Sequence, residues 1–166
     1  DLLANHHPRV NILQPGTGVG GHCIAVDPWF IVSGDPKNAK IIKQARQVND
    51  SKPKWVADKI SQRVKESGKA KAKVACLGLA FKPDIDDLRE SPAIEVVKEL
   101  IASNLNVVCV EPNIETHAGF SISSFDDALR GADVIAVLVG HKEFRSKVNR
   151  ELLSSVNAMD FCGVII

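Results

Sequence analysis

Short apolar runs that alternate with helical patterns are the feature that most limits how this 166-residue chain can fold. Four runs have this character, at residues 74–81, 106–110, 133–139 and 158–166. Helical patterns fill the intervals, at about residues 91–103, 124–130 and 143–155. Continuous apolar runs are typical of strands buried on both faces, and strands alternating with helices form right-handed βαβ units. We therefore predict an α/β fold, a Rossmann-like domain with a parallel sheet over residues 69–166.

The first part of the chain, residues 1–68, follows a different pattern. Residues 1–34 are rich in loop-forming residues, and residues 37–66 place apolar residues at helical spacing. Pro53 can begin a second helix inside this stretch, capped by Asn49, Asp50 or Ser51, so a break in the helix stays open there. We predict a unit of loop and long helix over residues 1–68, before the sheet domain.

The composition is that of an ordinary globular protein and narrows the range of partners. Hydrophobic residues make up 45% of the chain, charged residues 25%, and the formal net charge is +1. Such a balance gives no global attraction to nucleic acid or to an anionic membrane surface. No apolar run approaches the roughly 20 residues of a membrane-spanning helix. We expect neither nucleic acid nor a membrane as a partner.

Three of the four cysteines have a similar sequence context, and the fourth differs from them. Cys76, Cys109 and Cys162 fall inside apolar runs, where a thiol acts as a small buried hydrophobic group. No C-x-x-C pair is present, and the five histidines lack metal-ligand spacing, so we expect no metal site. A reduced, cytoplasmic protein fits these thiols better than a disulfide framework does. Cys23 differs from the others because it lies among glycines.

Cys23 ends a segment of residues 15–23, which we call the glycine segment. It reads Pro15-Gly-Thr-Gly-Val-Gly-Gly-His-Cys23 and is followed by a carboxylate at Asp27. It formally matches the G-x-G-x-x-G dinucleotide motif, but that motif needs a preceding strand and a following helix. We interpret residues 24–34 as a loop, which disfavours the motif. A loop that wraps a substrate, with a thiol nucleophile and an acid–base group, fits better.

A second candidate site follows the first predicted strand. The segment of residues 78–91, which we call the Lys82 segment, carries Lys82 and Arg89 and ends where a helix begins at Ser91. Ligands of open α/β sheets bind beyond the carboxyl ends of strands, and both cations suit phosphate. The alternative is a solvated loop in which Asp86, Asp87 and Arg89 pair with one another. Both interpretations stay open at this stage.

Together, the two segments resemble the UDP-glucose/GDP-mannose dehydrogenase family. Pro15-Gly-x-Gly-x-Gly-Gly-His-Cys23-x-x-x-Asp27 is similar to the family's catalytic-cysteine loop, and Phe81-Lys82-Pro-Asp-Ile-Asp-Asp-Leu-Arg89-Glu-Ser-Pro92 is similar to its second signature. The resemblance runs along the whole chain, across the end of the family's central region and nearly all of its C-terminal nucleotide-binding domain. It implies oxidation of C6 of a nucleotide-linked sugar, from alcohol to carboxylate, with two NAD.

The resemblance implies a role for each matching residue. Cys23 would attack the intermediate aldehyde as a thiolate, and Asp27 would help to activate the water that releases the acid. Arg89 would cross from the C-terminal domain to the cofactor NAD. The remaining matches are substrate-binding residues: Arg9, which reaches the neighbouring subunit's sugar, Leu13, Gln14 and Gly20 in the loop that contacts sugar and nucleotide, and Phe81 and Lys82.

The chain also departs from the family pattern. Ile24-Ala25-Val26 replaces the Leu-Pro-Lys of many members. In this respect the chain resembles the branch of the family that acts on UDP-N-acetylmannosamine. UDP-N-acetylglucosamine and UDP-glucose stay open as alternative substrates. The family's NAD domain and its catalytic lysine and asparagine have no counterpart here. We expect a C-terminal part of a longer, homodimeric enzyme that does not turn over alone. A non-catalytic UDP-sugar-binding module and a redox-sensing thiol protein are other interpretations.

Overall fold

A four-stranded parallel sheet with helices on both faces forms the body of the protein in a computed structural model that describes residues 2–165. The strands are β1 (Lys73–Leu77), β2 (Asn106–Val110), β3 (Val134–Val137) and β4 (Met159–Asp160). The helices are α1 (Leu2–Asn5), α2 (Asp27–Gly34), α3 (Lys40–Glu66), α4 (Pro92–Ala102), α5 (Phe125–Leu129) and α6 (Lys147–Ser155). The order β2-β1-β3-β4 with parallel pairing confirms the predicted Rossmann-like fold.

The core is divided by the sheet into two apolar layers. Val74 and Cys76 of β1 pack among the residues of α3 and α4, whereas Ala75 and Leu77 pack with residues of α5 and α6. Cys76 lies in register with Cys109 of β2, and burial raises the pKa of Cys76 well above its usual range and that of Cys109 to about 12. Both are neutral core thiols, which confirms the interpretation of these two cysteines.

The order in which the chain adds strands to the sheet reverses beside β1, and this reversal determines where the site lies. The chain goes from β1 to β2 on one side and returns to place β3 on the other side. The connections that leave the carboxyl ends of β1 and β3 therefore run to opposite sides. A crevice lies between them, and open α/β folds bind ligands in this crevice. The Lys82 segment leaves β1 at this point.

Helix α3 runs without interruption through Pro53, so the break that we left open does not occur. Pro53 is buried, and the next turns contribute Val56, Ala57 and Ile60 to the core beneath α4. Burial of this face outweighs the helix bond that a proline removes, a cost of about 3 kcal/mol. Within residues 2–165, no helix has both the length and the apolar character needed to cross a bilayer.

Three local predictions were wrong. Residues 27–34 form α2 and not a loop, because Asp27 and Pro28 occupy its first turn, where a carboxylate and a proline are favourable. β1 ends at Leu77, since Gly78 takes a φ of +87° and passes close to Val139. β4 has two residues, because the carboxylate of Asp160 accepts the N–H groups of the residues that follow and bends the chain.

Candidate functional site

The glycine segment and the Lys82 segment, about 60 residues apart in sequence, touch at the carboxyl edge of the sheet. A Cβ atom at Gly20 would lie 2.2 Å from the carbonyl oxygen of Glu90 and 2.7 Å from Cδ of Pro92. A Cβ atom at Gly21 would lie 3.0 Å from the ring of Phe81. Only a residue without a side chain permits this approach at Gly20. The predicted substrate-binding residues Gly20 and Phe81 are therefore neighbours.

A side chain from the middle of α3 holds the glycine segment from its other side. The Oδ1 atom of Asn49 accepts the N–H of Val19 at 2.8 Å, and its Nδ2 donates to the carbonyl of Val19 at 3.2 Å. Asn49 was considered as a helix cap in the sequence, and this role is wrong because α3 continues through it. An asparagine inside a helix is unfavourable by itself, which was the available signal for a contact elsewhere.

Cys23 and Asp27 share one turn at the start of α2. The carbonyl of Cys23 accepts the N–H groups of Val26 at 3.0 Å and of Asp27 at 2.8 Å. Side chains four residues apart lie on the same side of such a turn. Both side chains are exposed, so a substrate can reach the thiol and the carboxylate.

The two cations of the Lys82 segment have different surroundings. Lys82 is exposed, and its ammonium group has no hydrogen bond or ion pair with any residue in the range 2–165. Arg89 is paired, because its Nε atom lies 3.0 Å from each carboxylate oxygen of Asp87 and its Nη2 atom lies 2.6 Å from Oδ2. The side-chain hydrogen bond from Arg89 lowers the pKa of Asp87 to about 2. Lys82 is thus available to a phosphate, whereas Arg89 must first leave its carboxylate.

Arg9, Leu13 and Gln14 lie on an exposed loop before the glycine segment. Asn5 at the end of α1 holds this loop, since its Oδ1 accepts the N–H of Ile12 at 2.6 Å and its Nδ2 donates to the carbonyl of Ile12 at 2.9 Å. The loop therefore presents these three side chains at the surface. Their predicted roles toward a sugar or a neighbouring subunit stay predictions.

A buried pair of ionisable residues underlies the Lys82 segment, and sequence reasoning missed it. Glu111 directly follows β2 and His141 follows β3, and the two are 3% and 0% exposed. The Nε2 atom of His141 lies 3.0 Å from Oε2 of Glu111. Burial opposes ionisation of Glu111, but hydrogen bonds from His141 and from the N–H of Leu79 outweigh it and lower its pKa. The signal in the sequence was a polar residue after each of the two strands that flank β1.

One cluster near this pair has the composition of a metal site. Single ligand atoms of Asp84, His141 and Glu143 lie within 4.8 Å of one another. The Nδ1 atom of His141 accepts the N–H of Asp84 at 2.9 Å, and its Nε2 atom is engaged by Glu111. With both ring nitrogens in hydrogen bonds, the histidine has no lone pair to offer a metal.

Comparison with known proteins places these residues in context. The model of the UDP-glucose/GDP-mannose dehydrogenase family UDP binding domain matches residues 75–165, and that of the family's central domain matches residues 2–51. A UDP-N-acetyl-D-mannosamine dehydrogenase of Campylobacter jejuni is 57% identical over 150 residues, which is 86% of this chain and 36% of the relative. One of Escherichia coli K12 is 53% identical, over 98% of this chain and 41% of the relative.

Solved structures agree with these sequence matches. A UDP-D-ManNAc dehydrogenase of Pyrococcus horikoshii has a TM-score of 0.80 at 34% identity, covering 99% of this chain and 40% of that structure. A GDP-mannose dehydrogenase of Pseudomonas aeruginosa has a TM-score of 0.74 at 22% identity, which supports the fold alone. The chain spans about two fifths of the length of these relatives. With a family model matched over residues 75–165, the chain belongs to the UDP-glucose/GDP-mannose dehydrogenase family.

Proposed function

We propose that this chain is the UDP-binding and thiol-bearing part of an NAD-dependent dehydrogenase that oxidises UDP-N-acetylmannosamine to UDP-N-acetylmannosaminuronate. The observation that carries the proposal is the contact of Gly20 and Gly21 with Phe81 and Glu90. It joins the segment with the exposed thiol to the segment with the unpaired Lys82. Relatives named UDP-N-acetyl-D-mannosamine dehydrogenase, at 57% and 53% identity, support the choice of sugar.

In this proposal, Cys23 makes possible the second of two oxidations. The first removes a hydride and a proton from the C6 alcohol and leaves an aldehyde. Sγ of Cys23 adds to the aldehyde carbon to form a thiohemiacetal, which loses a hydride and the hydroxyl proton to become a thioester. Water cleaves the thioester, which releases the carboxylate and restores the thiol. NAD, when bound by the complete protein, supplies the acceptor for both hydrides.

The remaining residues bind, orient or move protons. Asp27, in the same turn as Cys23, accepts a proton from the attacking water. The ammonium group of Lys82 binds the diphosphate, and the ring of Phe81, fixed against Gly21, borders the nucleotide. Gly20 keeps the loop free of a side chain where it meets Glu90. The exposed loop supplies the sugar contacts that we propose for Arg9, Leu13 and Gln14.

The residues of this chain could supply only a small part of an NAD-binding site. Arg89 has the planar fork that suits a pyrophosphate, and we propose that it exchanges Asp87 for the cofactor. The cleft of about 560 Å³ beside it is lined by four carboxylates, of Asp86, Asp87, Glu90 and Glu95, and by two cations, of Arg89 and Lys98, so the excess of negative charge opposes a second anion. We therefore propose that this chain binds UDP but does not reduce NAD alone.

We also propose a cytoplasmic homodimer for the complete protein. Four free cysteines support a reducing compartment. Phe30 of α2 and Ile41 of α3 are 72% and 86% exposed, and contact with a second copy of the protein would remove this apolar surface from water.

Calorimetric titration of the chain with UDP, followed by incubation with UDP-N-acetylmannosamine and NAD, tests the proposal. We expect UDP to bind and no NADH to form. Absence of UDP binding would contradict the nucleotide role, and NADH formation would contradict the inactivity of the chain alone. In the complete protein, faster turnover of UDP-N-acetylglucosamine or UDP-glucose would reassign the sugar. If the complete protein bound the nucleotide sugar without forming any NADH, the non-catalytic module would be favoured.

A further inference from the structure

The buried pair of Glu111 and His141 connects the carboxyl ends of three strands. Oε2 of Glu111, after β2, accepts the N–H groups of Leu79 at 2.7 Å and Ala80 at 3.0 Å, both after β1. The same oxygen accepts Nε2–H of His141, which follows β3. Nδ1 of His141 then accepts the N–H of Asp84 at 2.9 Å. Since Nδ1 is an acceptor, the hydrogen-bond network assigns the proton to Nε2.

These bonds hold the backbone on both sides of the two residues that face the nucleotide in the proposed function. Leu79 and Ala80 precede Phe81 and Lys82, and Asp84 follows them. A further bond from the N–H of Lys142 to Oδ1 of Asp84, at 2.8 Å, fixes the far end.

The conformation of the Lys82 segment requires such support. Asp84 has a φ of +63°, which is a left-handed backbone conformation. For a residue other than glycine this conformation is unfavourable in free energy. Within the described residues, Lys82 has no side-chain bond that could hold the segment itself. The anchors from Glu111 and His141 therefore hold this stretch in one shape, together with the N–H of Phe81, which donates to the carbonyl of Asp87 at 3.1 Å, and Oγ of Ser91, which donates to the carbonyl of Leu79 at 2.6 Å.

The pair itself is unsuited to act on a substrate. Both residues are buried, both ring nitrogens of His141 are in hydrogen bonds, and Glu111 accepts backbone donors with one oxygen and Asn113 with the other. A group so enclosed cannot exchange protons with a sugar at the surface. Its effect must pass through the backbone that it holds.

We propose that Glu111 and His141 are positioning residues for the nucleotide: they fix residues 79–84 so that Phe81 and Lys82 face it together. This rests on the proposed UDP binding. A nucleotide that binds only the fixed shape loses affinity in proportion to the fraction of molecules that leave this shape. The pair therefore sets UDP affinity without touching UDP.

Two substitutions at His141 separate its two hydrogen bonds. His141→Asn keeps an acceptor where Nδ1 meets Asp84 and loses the donor to Glu111. His141→Gln keeps a donor near Nε2 and loses the acceptor for Asp84. Both are polar, of similar size and at the same buried position, so each is the control for the other. We expect His141→Gln to weaken UDP binding about five- to tenfold, the equivalent of one hydrogen bond, and His141→Asn to weaken it less than about twofold.

The test combines calorimetric titration of UDP into each chain, its thermal unfolding midpoint and amide exchange at Asp84. The inference is supported when the two variants unfold at similar temperatures and only His141→Gln loses affinity and protection of the Asp84 amide. Equal affinities in both variants and in the parent chain overturn the inference but leave the proposed function intact. A parent chain that does not bind UDP contradicts both.

A milder substitution keeps the inference testable if the buried variants do not fold. Nδ2 of Asn113 lies 3.1 Å from Oε1 of Glu111 and 3.2 Å from Nδ1 of His141, and Asn113 is exposed. We expect Asn113→Ala to weaken UDP binding about two- to threefold. Asn106→Ala, at the exposed opposite end of β2, is the matched control with no expected change. Equal affinities for these two variants overturn the inference.

Discussion

The sheet together with helix α3, residues 40–165, which we call the sheet region, buries its large apolar side chains to a much greater extent than the preceding region, residues 2–39. Leu77, Leu100 and Leu138 of the sheet region are almost completely buried, whereas Leu13 and Ile24 of the preceding region are 68% and 63% exposed. Burial of apolar surface supplies most folding free energy, so the sheet region stabilises the chain. The preceding region carries the thiol, and it is held by close backbone approach and by Asn49. Stability and proposed chemistry therefore reside in different regions.

The largest effect that separates the regions is expected at Cys23. In the complete protein, Cys23→Ala should reduce acid formation by at least about a thousandfold, because the covalent route to the thioester is lost. UDP affinity should stay within about twofold, since the thiol acts at the sugar. Cys162→Ala, in the sheet region, is the control and should keep the rate. Assays of uronate formation with parallel UDP titration measure both, and an active Cys23→Ala variant would contradict the proposed chemistry.

In denaturant unfolding, substitutions in the sheet region should have larger effects than substitutions in the preceding region. Leu77→Ala removes a fully buried side chain between β1 and the α5–α6 layer, and we expect a loss of about 2–5 kcal/mol. Ile24→Ala, beside Cys23 but exposed, should change the free energy of unfolding by less than about 0.5 kcal/mol. Similar losses from the two substitutions would show that the preceding region shares the core, contrary to the comparison.

A matched pair of glycines tests the contact between the regions. Gly20→Ala forces Glu90 and Pro92 aside, and overpacking of this kind costs about 1–3 kcal/mol. At Gly16 the space around an added Cβ is open to 4 Å, so Gly16→Ala is the control. We expect UDP affinity to fall about tenfold for Gly20→Ala and to be unchanged for Gly16→Ala. If calorimetry gave the two variants the same affinity for UDP, the glycine segment would have no part in nucleotide binding.

The smallest predicted effect concerns the pairing of Arg89 with Asp87. The pKa of Asp87 lies at about 2, below its ordinary 3.8, so the pair stabilises the fold above pH 3.8. This contribution is lost as the pH falls through about 2. Arg89→Ala should return the pKa of Asp87 toward 3.8, as measured by NMR titration of its carboxyl group. An unchanged pKa would show that Arg89 is not the partner that keeps Asp87 ionised.

The parts of the fold with strong periodic patterns could be predicted, and those set by distant contacts could not. The apolar run over residues 74–81 predicted β1, although the strand ends at Leu77, and the pattern over residues 124–130 predicted α5. The structure adds the cap of α5, where Oγ of Ser124 accepts the N–H of Asp127 at 3.2 Å. The path of α3 through Pro53 could not be predicted, because packing beneath α4 decides it. Asp27-Pro28 at the start of α2 was a readable helix signal that a loop interpretation overlooked.

The candidate site divides in the same way. Glycines, a thiol and a carboxylate in one short segment could be recognised because they are local in sequence. Asn49 with Val19, and Glu111 with His141, are about 30 residues apart in each case and meet only when the chain folds. A single sequence gives no sign of such pairs beyond a polar residue in an apolar or helical context.

The count of NADH per molecule of UDP-N-acetylmannosamine, in the complete protein that carries this chain, tests the central proposal most directly. Two NADH with release of the uronate are predicted, because the aldehyde is captured by Cys23 and oxidised again. One NADH with release of the free aldehyde would contradict the account, since oxidation would then end before the thiol had a role.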